Sequence, residues 1–147
     1  MEKVLKYLKE NPFYLATCDG DQPHVRPFGA VAEFDGKLYI VTSNQKNCYK
    51  QMIANPKIEI STMSKDGTWI RIEGKAIHDD RREARVQMLN ENEVLQNMYS
   101  ADDNLMEVLY LQDATATICS FTMLRKLLNS NQKSNKLYKK WVAKITS

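Results

Sequence analysis

Apolar and polar residues alternate along much of the chain with the two-residue period that is typical of half-buried β-strands. These runs, separated by turn-forming residues, predict strands over residues 13–18, 25–33, 37–42, 57–63 and 69–77. A sixth β-rich run, ATATICSF, predicts a strand over residues 114–121, and Asp35-Gly36 indicates a tight hairpin. Six strands without regular helical crossovers predict a small antiparallel barrel rather than a doubly wound α/β sheet.

Helical spacing of apolar residues is confined to short segments. It predicts a helix over residues 2–10, a helix capped by Ser43 or Asn44 that ends before Pro56, and a helix capped by Asp79 or Asp80. A further helical piece is predicted over residues 93–98. Ser100 and Asp103 have the spacing of a capping box ahead of Leu105, Met106 and Leu109, which indicates one more helix there.

The composition places the chain among ordinary globular proteins, with 147 residues, 43% hydrophobic and 27% charged. No apolar run approaches the roughly 20 residues of a membrane span, and the charged N-terminus lacks the apolar core of a signal peptide. We therefore expect a cytoplasmic protein without membrane association. The widely spaced Cys18, Cys48 and Cys119 argue against a zinc site and against a disulfide framework.

Hydrolytic motifs are absent from the sequence, which has neither GxSxG nor HExxH and only two histidines. For His78 we expect a solvated position at a strand end, and for His24 a position on a strand surface. The basic segment 123–147 holds seven Lys and Arg and no acidic residue. A solvated face of a packed amphipathic helix is favoured there over nucleic-acid binding, which we do not expect.

One polar cluster has the composition of an anion site. Thr42 and Ser43 end a strand, and the next residues enter a helix. Lys46 and Lys50 are four residues apart and lie on one face if both are in that helix. Free N–H groups at a helix start bind phosphate, and a guanidinium such as that of Arg26, on the neighbouring strand, binds phosphate in a bidentate manner. From the residues alone, both a phosphate site and an ordinary strand-to-helix turn remain open.

The sequence resembles the FMN-binding split-barrel superfamily related to pyridoxamine 5′-phosphate oxidase, in its short bacterial or archaeal branch. The resemblance covers residues 1–122 and lies in FYLATCDGDQPHVRPFGAV, DGKLYIVTSNQKNCYKQMIANPKIEI, WIRIEGKAIHDDRREA and MYSADDNLMEVLYLQDATATICSFT. It implies a six-stranded antiparallel split barrel over residues 1–122, followed by a basic helical extension over residues 123–147. It also implies a homodimer with FMN in a groove between the two barrels.

The resemblance further implies the residues that contact FMN: Arg26, Pro27, Phe28, Gly29, Val41, Thr42, Ser43, Lys46, Asn47, Lys50 and Trp69. Arg26 would lie at the phosphate end, residues 41–43 at the ring or ribityl chain, and Trp69 or Arg71 at the cofactor or its entrance. The defining oxidases often place an Arg-Lys pair where this chain has Asn47-Cys48, so the phosphate would depend on Lys46, Lys50, Arg26 and backbone amides.

The function implied is FMN-dependent redox chemistry, in which the flavin moves electrons or hydride between a reduced nicotinamide and a small acceptor. No residue is singled out as a catalytic acid or base, and no metal is expected. The alternatives are a non-catalytic flavin-binding or sensing dimer, and a barrel that binds another cofactor such as F420 or haem.

Overall fold

The computed structural model describes residues 1–120 and the backbone of residues 141–145. β-Strands dominate it, and three short α-helices and one 3₁₀ helix lie between them. The elements are, in chain order, α1 (Glu2–Glu10), β1 (Phe13–Asp19), β2 (Gln22–Phe28), β3 (Val31–Phe34), β4 (Lys37–Ser43), α2 (Asn47–Ala54), β5 (Lys57–Met63), β6 (Thr68–Asp79), α3 (Arg82–Glu91), a 3₁₀ helix (Glu93–Asn97), β7 (Met106–Ser120) and β8 (Trp141–Ile145).

The strands form one antiparallel sheet in the order β2-β1-β5-β6-β7-β4-β3, and β8 pairs with β7 beside this path. Within the described residues the sheet is not closed, because β2 and β3 do not pair with each other. Only Gly29 and Ala30 connect these two edge strands, however, so the end of β2 and the start of β3 lie within about 10 Å of each other. The sheet therefore curls into a split barrel.

The inner face of the curled sheet forms the main hydrophobic core. Alternate residues of neighbouring strands, such as Leu15, Ile60 and Ile72, are fully buried there, and Val4 and Leu8 of α1 pack into the same cluster. A second cluster lies on the outer face, where α3 packs against β3, β4 and β7. Ala84 and Met88 are the buried residues of α3, which places β4 between two apolar layers.

Two expectations about the strands are corrected by this topology. The predicted strand 25–33 is two strands, of which β2 pairs with β1 and β3 pairs with β4, so Arg26 is not on the hairpin partner of β4. The number of strands is therefore larger than six. The change of partner occurs at Gly29-Ala30, two residues after Pro27, which has no N–H to donate to a ladder.

The predicted helical C-terminal extension is wrong for Trp141–Ile145, which form β8 and pair with Ala114–Ile118 of β7. A short segment such as this can form a strand when the edge of a neighbouring strand is free to accept and donate backbone hydrogen bonds. The local sequence pattern does not show whether such an edge is present. The remainder of the predicted extension, and the predicted boundary at residues 122–123, lie outside the described residues.

The helix indicated by the capping-box spacing at Ser100 is wrong, because β7 begins at Met106. The capping signal itself is present, since the Ser100 N–H donates to Asp103 Oδ2 at 2.9 Å. Asn104 then adopts a left-handed φ of 56°, and Asp103 Oδ1 accepts the N–H groups of Leu105 and Met106. The turn therefore leads into a strand instead of a helix.

The predicted helix caps are also wrong. α2 begins at Asn47 with Lys46 at the N-cap position, and α3 begins at Arg82 with Arg81 at that position, without a side-chain cap in either helix. Asp79 instead accepts the Arg81 N–H and side chain. Among the described residues, no helix is long and apolar enough to cross a membrane.

Candidate functional site

A cavity of about 410 Å³ lies beside the bend that joins the two sheet edges. One side comes from the bend itself, the floor from the end of β4, and the other side from the segment that follows α3. Its lining residues are Pro27, Phe28, Gly29, Ala30, Val41, Thr42, Lys46, Asn92, Val94, Leu95, Met98 and Tyr99. Six of these, Pro27, Phe28, Gly29, Val41, Thr42 and Lys46, belong to the predicted cofactor contacts.

The sides of the cavity are fixed by the fold around them. Val41 and Thr42 are buried near the end of β4, where β7 pairs with that strand. The opposite side is attached to the sheet because Asn92 Nδ2 donates to the carbonyl oxygens of Val31 and Met88, each at 3.0 Å. The cavity is thus preformed by the folded chain.

The Arg26 guanidinium lies outside the cavity lining, under α2. Nη1 donates to Leu15 O at 3.2 Å and to Thr17 Oγ1 at 2.7 Å, and Nη2 donates to Gln51 Oε1 at 3.1 Å. All three acceptors are neutral, and no carboxylate pairs with this half-buried cation among the described side chains. Its positive charge therefore remains available to an anion.

Gln51 is a site residue that sequence reasoning missed. Its Oε1 accepts Thr17 Oγ1 at 2.7 Å as well as Arg26, so it joins α2 to β1 and β2. The signal in the sequence was only that Gln51 lies one turn after Asn47, on the same helix as Lys50. Its partners come from strands far away in the chain, and no local pattern identifies them.

The start of α2 presents the predicted cations to solvent. Lys46 and Lys50 are exposed and one turn apart, as the Lys50 N–H donates to Lys46 O, and Asn47 is exposed between them. No side chain caps this helix, so its first N–H groups and its dipole add to the positive potential.

Buried groups connect the helix start to the floor of the cavity. The Cys48 sulfur lies 3.3 Å from the Thr42 hydroxyl oxygen, and Ser43 Oγ accepts the Gln45 N–H at 3.3 Å. Ser43 is buried and does not line the cavity, so of the residues 41–43 only the first two reach it directly.

Trp69 lies away from the cavity. It pairs in register with Met63 of β5 and Cys119 of β7, whereas the cavity floor adjoins residues 106–108 at the other end of β7. Arg71, on the same strand, forms an ion pair with Glu59. Neither residue lines the cavity within one chain.

His78 differs from the expected solvated position. It is half-buried, with Nε2 2.6 Å from Glu107 Oε2, and its ring meets that of Tyr49 edge-on. Burial of Tyr49 and the charge of Glu107 raise the pKa of that phenol above its usual value. His24 is exposed on β2, as expected. In the part of the chain that the structure describes, no group of three or more His, Cys, Asp or Glu is placed to hold a metal ion.

Comparison with known proteins identifies the family. The family model described as pyridoxamine 5′-phosphate oxidase matches residues 1–111. The chain belongs to the pyridoxamine 5′-phosphate oxidase family. The resemblance in the sequence motifs is thereby confirmed, and the split barrel described above is consistent with this assignment. A search of curated proteins returned no match.

Solved structures of this family's fold include a NimC/NimA family protein from Clostridium acetobutylicum, which is 56% identical with a TM-score of 0.80. That match covers 83% of this chain and 88% of the other. A pyridoxamine 5′-phosphate oxidase-related, FMN-binding protein from Nostoc punctiforme is 16% identical, with a TM-score of 0.61 and coverage of 82% and 79%. A FAD-binding protein from Mesorhizobium loti is 17% identical, with a TM-score of 0.54 and coverage of 81% and 94%. The last two show the fold alone.

Proposed function

We propose that this member of the pyridoxamine 5′-phosphate oxidase family binds FMN in the cavity beside the β2–β3 bend. The apolar surfaces of residues 27–29 and of Val41 would contact the ring system. Lys46, Lys50, the first N–H groups of α2 and the Arg26 charge would hold the phosphate. Bound FMN supplies hydride or electron transfer, and the protein supplies binding and orientation.

This proposal rests on one observation: an apolar cavity lies directly beside a cluster of positively charged groups at the start of α2. Lys46 lines the cavity and is the N-cap residue of α2, so one side chain belongs to both features. No carboxylate lines the cavity among the described residues. A ligand with an apolar ring and a phosphate matches this arrangement.

The reaction we propose is oxidation of a reduced nicotinamide coupled to reduction of a small acceptor. Lys46 and Tyr99 are the ionisable side chains of the described cavity lining, and neither is paired with a second titratable lining group. This lining supports a role in binding more than a role in proton transfer, which agrees with chemistry carried by the cofactor.

A homodimer with FMN between the two barrels is part of the same proposal. The outer faces of β1, β2 and β5 carry the exposed apolar side chains of Tyr14, Val25 and Met63, on the side of the sheet that no described helix covers. A second copy packed there would bury these side chains. In such a dimer, contact of Trp69 with a flavin would come from the second subunit.

Titration with FMN tests the cofactor. We expect saturable binding with quenching of FMN fluorescence, and a mass in light scattering that corresponds to two chains. Lys46→Ala should weaken FMN binding by a factor of about 10 to 100, because a charge-assisted hydrogen bond contributes about 1.5–3 kcal/mol. The double variant Arg26→Ala/Lys46→Ala should lose most of the affinity.

Lys6→Ala is the matched control, since Lys6 is an exposed lysine of α1 that does not line the cavity. Its FMN affinity should equal that of the unchanged protein. Absence of FMN binding would refute the cofactor assignment, and normal affinity in the double variant would refute the phosphate position. NAD(P)H oxidation that depends on added FMN would distinguish the enzyme from a non-catalytic flavin binder.

A further inference from the structure

The segment after α3 has an unusual surface. Val94 and Met98 are 73% and 60% exposed, although both are apolar and both line the cavity. They belong to the 3₁₀ helix and the residue after it, and Leu95 between them is buried in the cluster under α3. One side of this short segment is therefore anchored in the protein, and the other presents apolar side chains toward the cavity.

The segment is held rigidly enough to act as a preformed surface. Leu95 O accepts the N–H groups of Met98 at 2.9 Å and Tyr99 at 2.8 Å, and Asn92 bonds to the sheet on one side. Exposed apolar side chains at a cavity mouth lose contact with water only when a ligand covers them. We propose that Val94, Met98 and Tyr99 determine which acceptor enters beside the flavin, and that they select an uncharged, flat ring compound. This inference rests on the proposed function.

The absence of a counter-charge argues for an uncharged ligand. The described cavity lining includes no carboxylate to pair with a cation, and Lys46 and the nearby Arg26 repel one. Under the proposed function, the charge of Lys46 is already engaged by the phosphate of FMN, which leaves no lining cation for an anionic ligand. An uncharged ligand meets neither penalty.

The chemistry of the three side chains argues for a flat ring. Methionine sulfur contacts aromatic rings favourably and adapts to their shape, and a tyrosine ring stacks in an offset or edge-on arrangement. The apolar residues of the β2–β3 bend lie on the opposite side of the same cavity. Under the proposed function the flavin ring covers this bend, so an acceptor ring would enter between the flavin and the side chains of Val94, Met98 and Tyr99 and would contact a flat or apolar surface on both of its faces.

Three naphthalene probes that differ in charge test this selection: naphthol, naphthalenesulfonate and naphthyltrimethylammonium. Calorimetric titration into the FMN-loaded protein measures binding without turnover. We expect naphthol to bind most tightly and the cation most weakly. Met98→Glu should weaken the binding of naphthol about threefold, because it removes the contact between the methionine sulfur and the ring. The same substitution should strengthen binding of the cationic probe about threefold, because the new carboxylate and the cation form an exposed ion pair. Met98→Leu, which conserves volume, should retain the original order of affinities.

Ile53→Glu is the matched control, because Ile53 is 53% exposed on α2 and does not line the cavity. This variant should leave all three affinities unchanged, and circular dichroism checks that each variant is folded. If FMN binds normally but Met98→Glu leaves the affinities for naphthol and for the cation unchanged, the inference is refuted and the proposed function stands. If the unchanged protein binds no FMN, the proposed function fails, and this inference fails with it.

Discussion

Asp79 connects β4, which forms the floor of the cavity, to the start of α3, the helix that precedes the other side of the cavity. The carboxylate is 7% exposed and accepts the Tyr39 hydroxyl of β4 at 2.7 Å. It also accepts Arg81 Nη2 at 2.8 Å and the Arg81 N–H at 3.0 Å, directly before α3. Asp79→Asn keeps the shape of the side chain but removes its charge and one of its two acceptor oxygens.

The cost of Asp79→Asn follows from these contacts. At least one charge-assisted hydrogen bond is lost, which costs about 1.5–3 kcal/mol. The ion pair adds little, because Arg81 is 45% exposed and also pairs with Asp35, and exposed pairs contribute at most about 1 kcal/mol. We therefore expect a loss of about 2 kcal/mol in the free energy of unfolding, and a Tm lower by about 4–8 °C.

The effect depends on pH with a definite sign. Burial opposes ionisation of Asp79, but hydrogen bonds from Arg81 and Tyr39 outweigh it and hold the pKa of this carboxyl well below its usual range. In the unfolded chain the pKa is about 3.9, so the unfolded state binds more protons near that pH. The stabilisation is complete above about pH 5 and is lost as the pH falls toward the folded pKa.

Urea unfolding followed by circular dichroism at about pH 7 and about pH 3.5 measures both effects. The difference between the unchanged protein and Asp79→Asn should shrink at the lower pH. Tyr39→Phe is the control. It loses about 1 kcal/mol and one of the hydrogen bonds that lower the Asp79 pKa, but it retains the Asp79 charge and the Arg81 hydrogen bonds and thus most of the pH dependence. Equal stability of Asp79→Asn and the unchanged protein at both pH values, or a difference that does not change with pH, would refute the reasoning.

Three further substitutions test the packing of the sheet and the contacts of the site. Gly74→Ala, at the β6 bulge, should destabilise the protein by about 1 kcal/mol in urea unfolding, because the new Cβ would lie 3.2 Å from Ala114 Cα and Gln112 O. Gly29→Ala, where nothing lies within 4 Å, should not lower the stability, and equal losses at both glycines would contradict this account. Gln51→Leu leaves Arg26 and Thr17 without a shared acceptor, so we expect a loss of about 1–2 kcal/mol and weaker FMN binding in the same titrations. Unchanged stability and FMN affinity together would show that Gln51 does not position Arg26.

Most of the individual strands were predictable from the sequence because each depends on a local alternation. The runs at 13–18, 37–42 and 57–63 become β1, β4 and β5 within a residue of their predicted limits. The failures occur where a local signal competes with a distant partner. Residues 105–109 have helical spacing, but the edges of β4 and β6 offer hydrogen bonds to them, and the left-handed Asn104 ends the turn before a helix can continue.

The candidate site was predictable to a similar extent. The sequence indicated the residues of the β2–β3 bend, the end of β4 and the cations at the start of α2, because strand ends and helix starts are readable locally. It did not indicate Gln51, nor the apolar surface of Val94 and Met98, since nothing in residues 92–99 predicts the element opposite them. It also placed Arg26 beside β4, whereas Arg26 reaches α2 through its pairing with β1.

The sequence by itself therefore determined the elements, their periodicity and the types of charge near the site. Those properties depend on neighbours a few residues apart. Only the tertiary structure decided which strands pair, how two edges meet at Gly29-Ala30, and which side chains face one another across the cavity. Those arrangements depend on contacts between residues distant in the chain, and the free energy of such contacts is set by packing and not by local pattern.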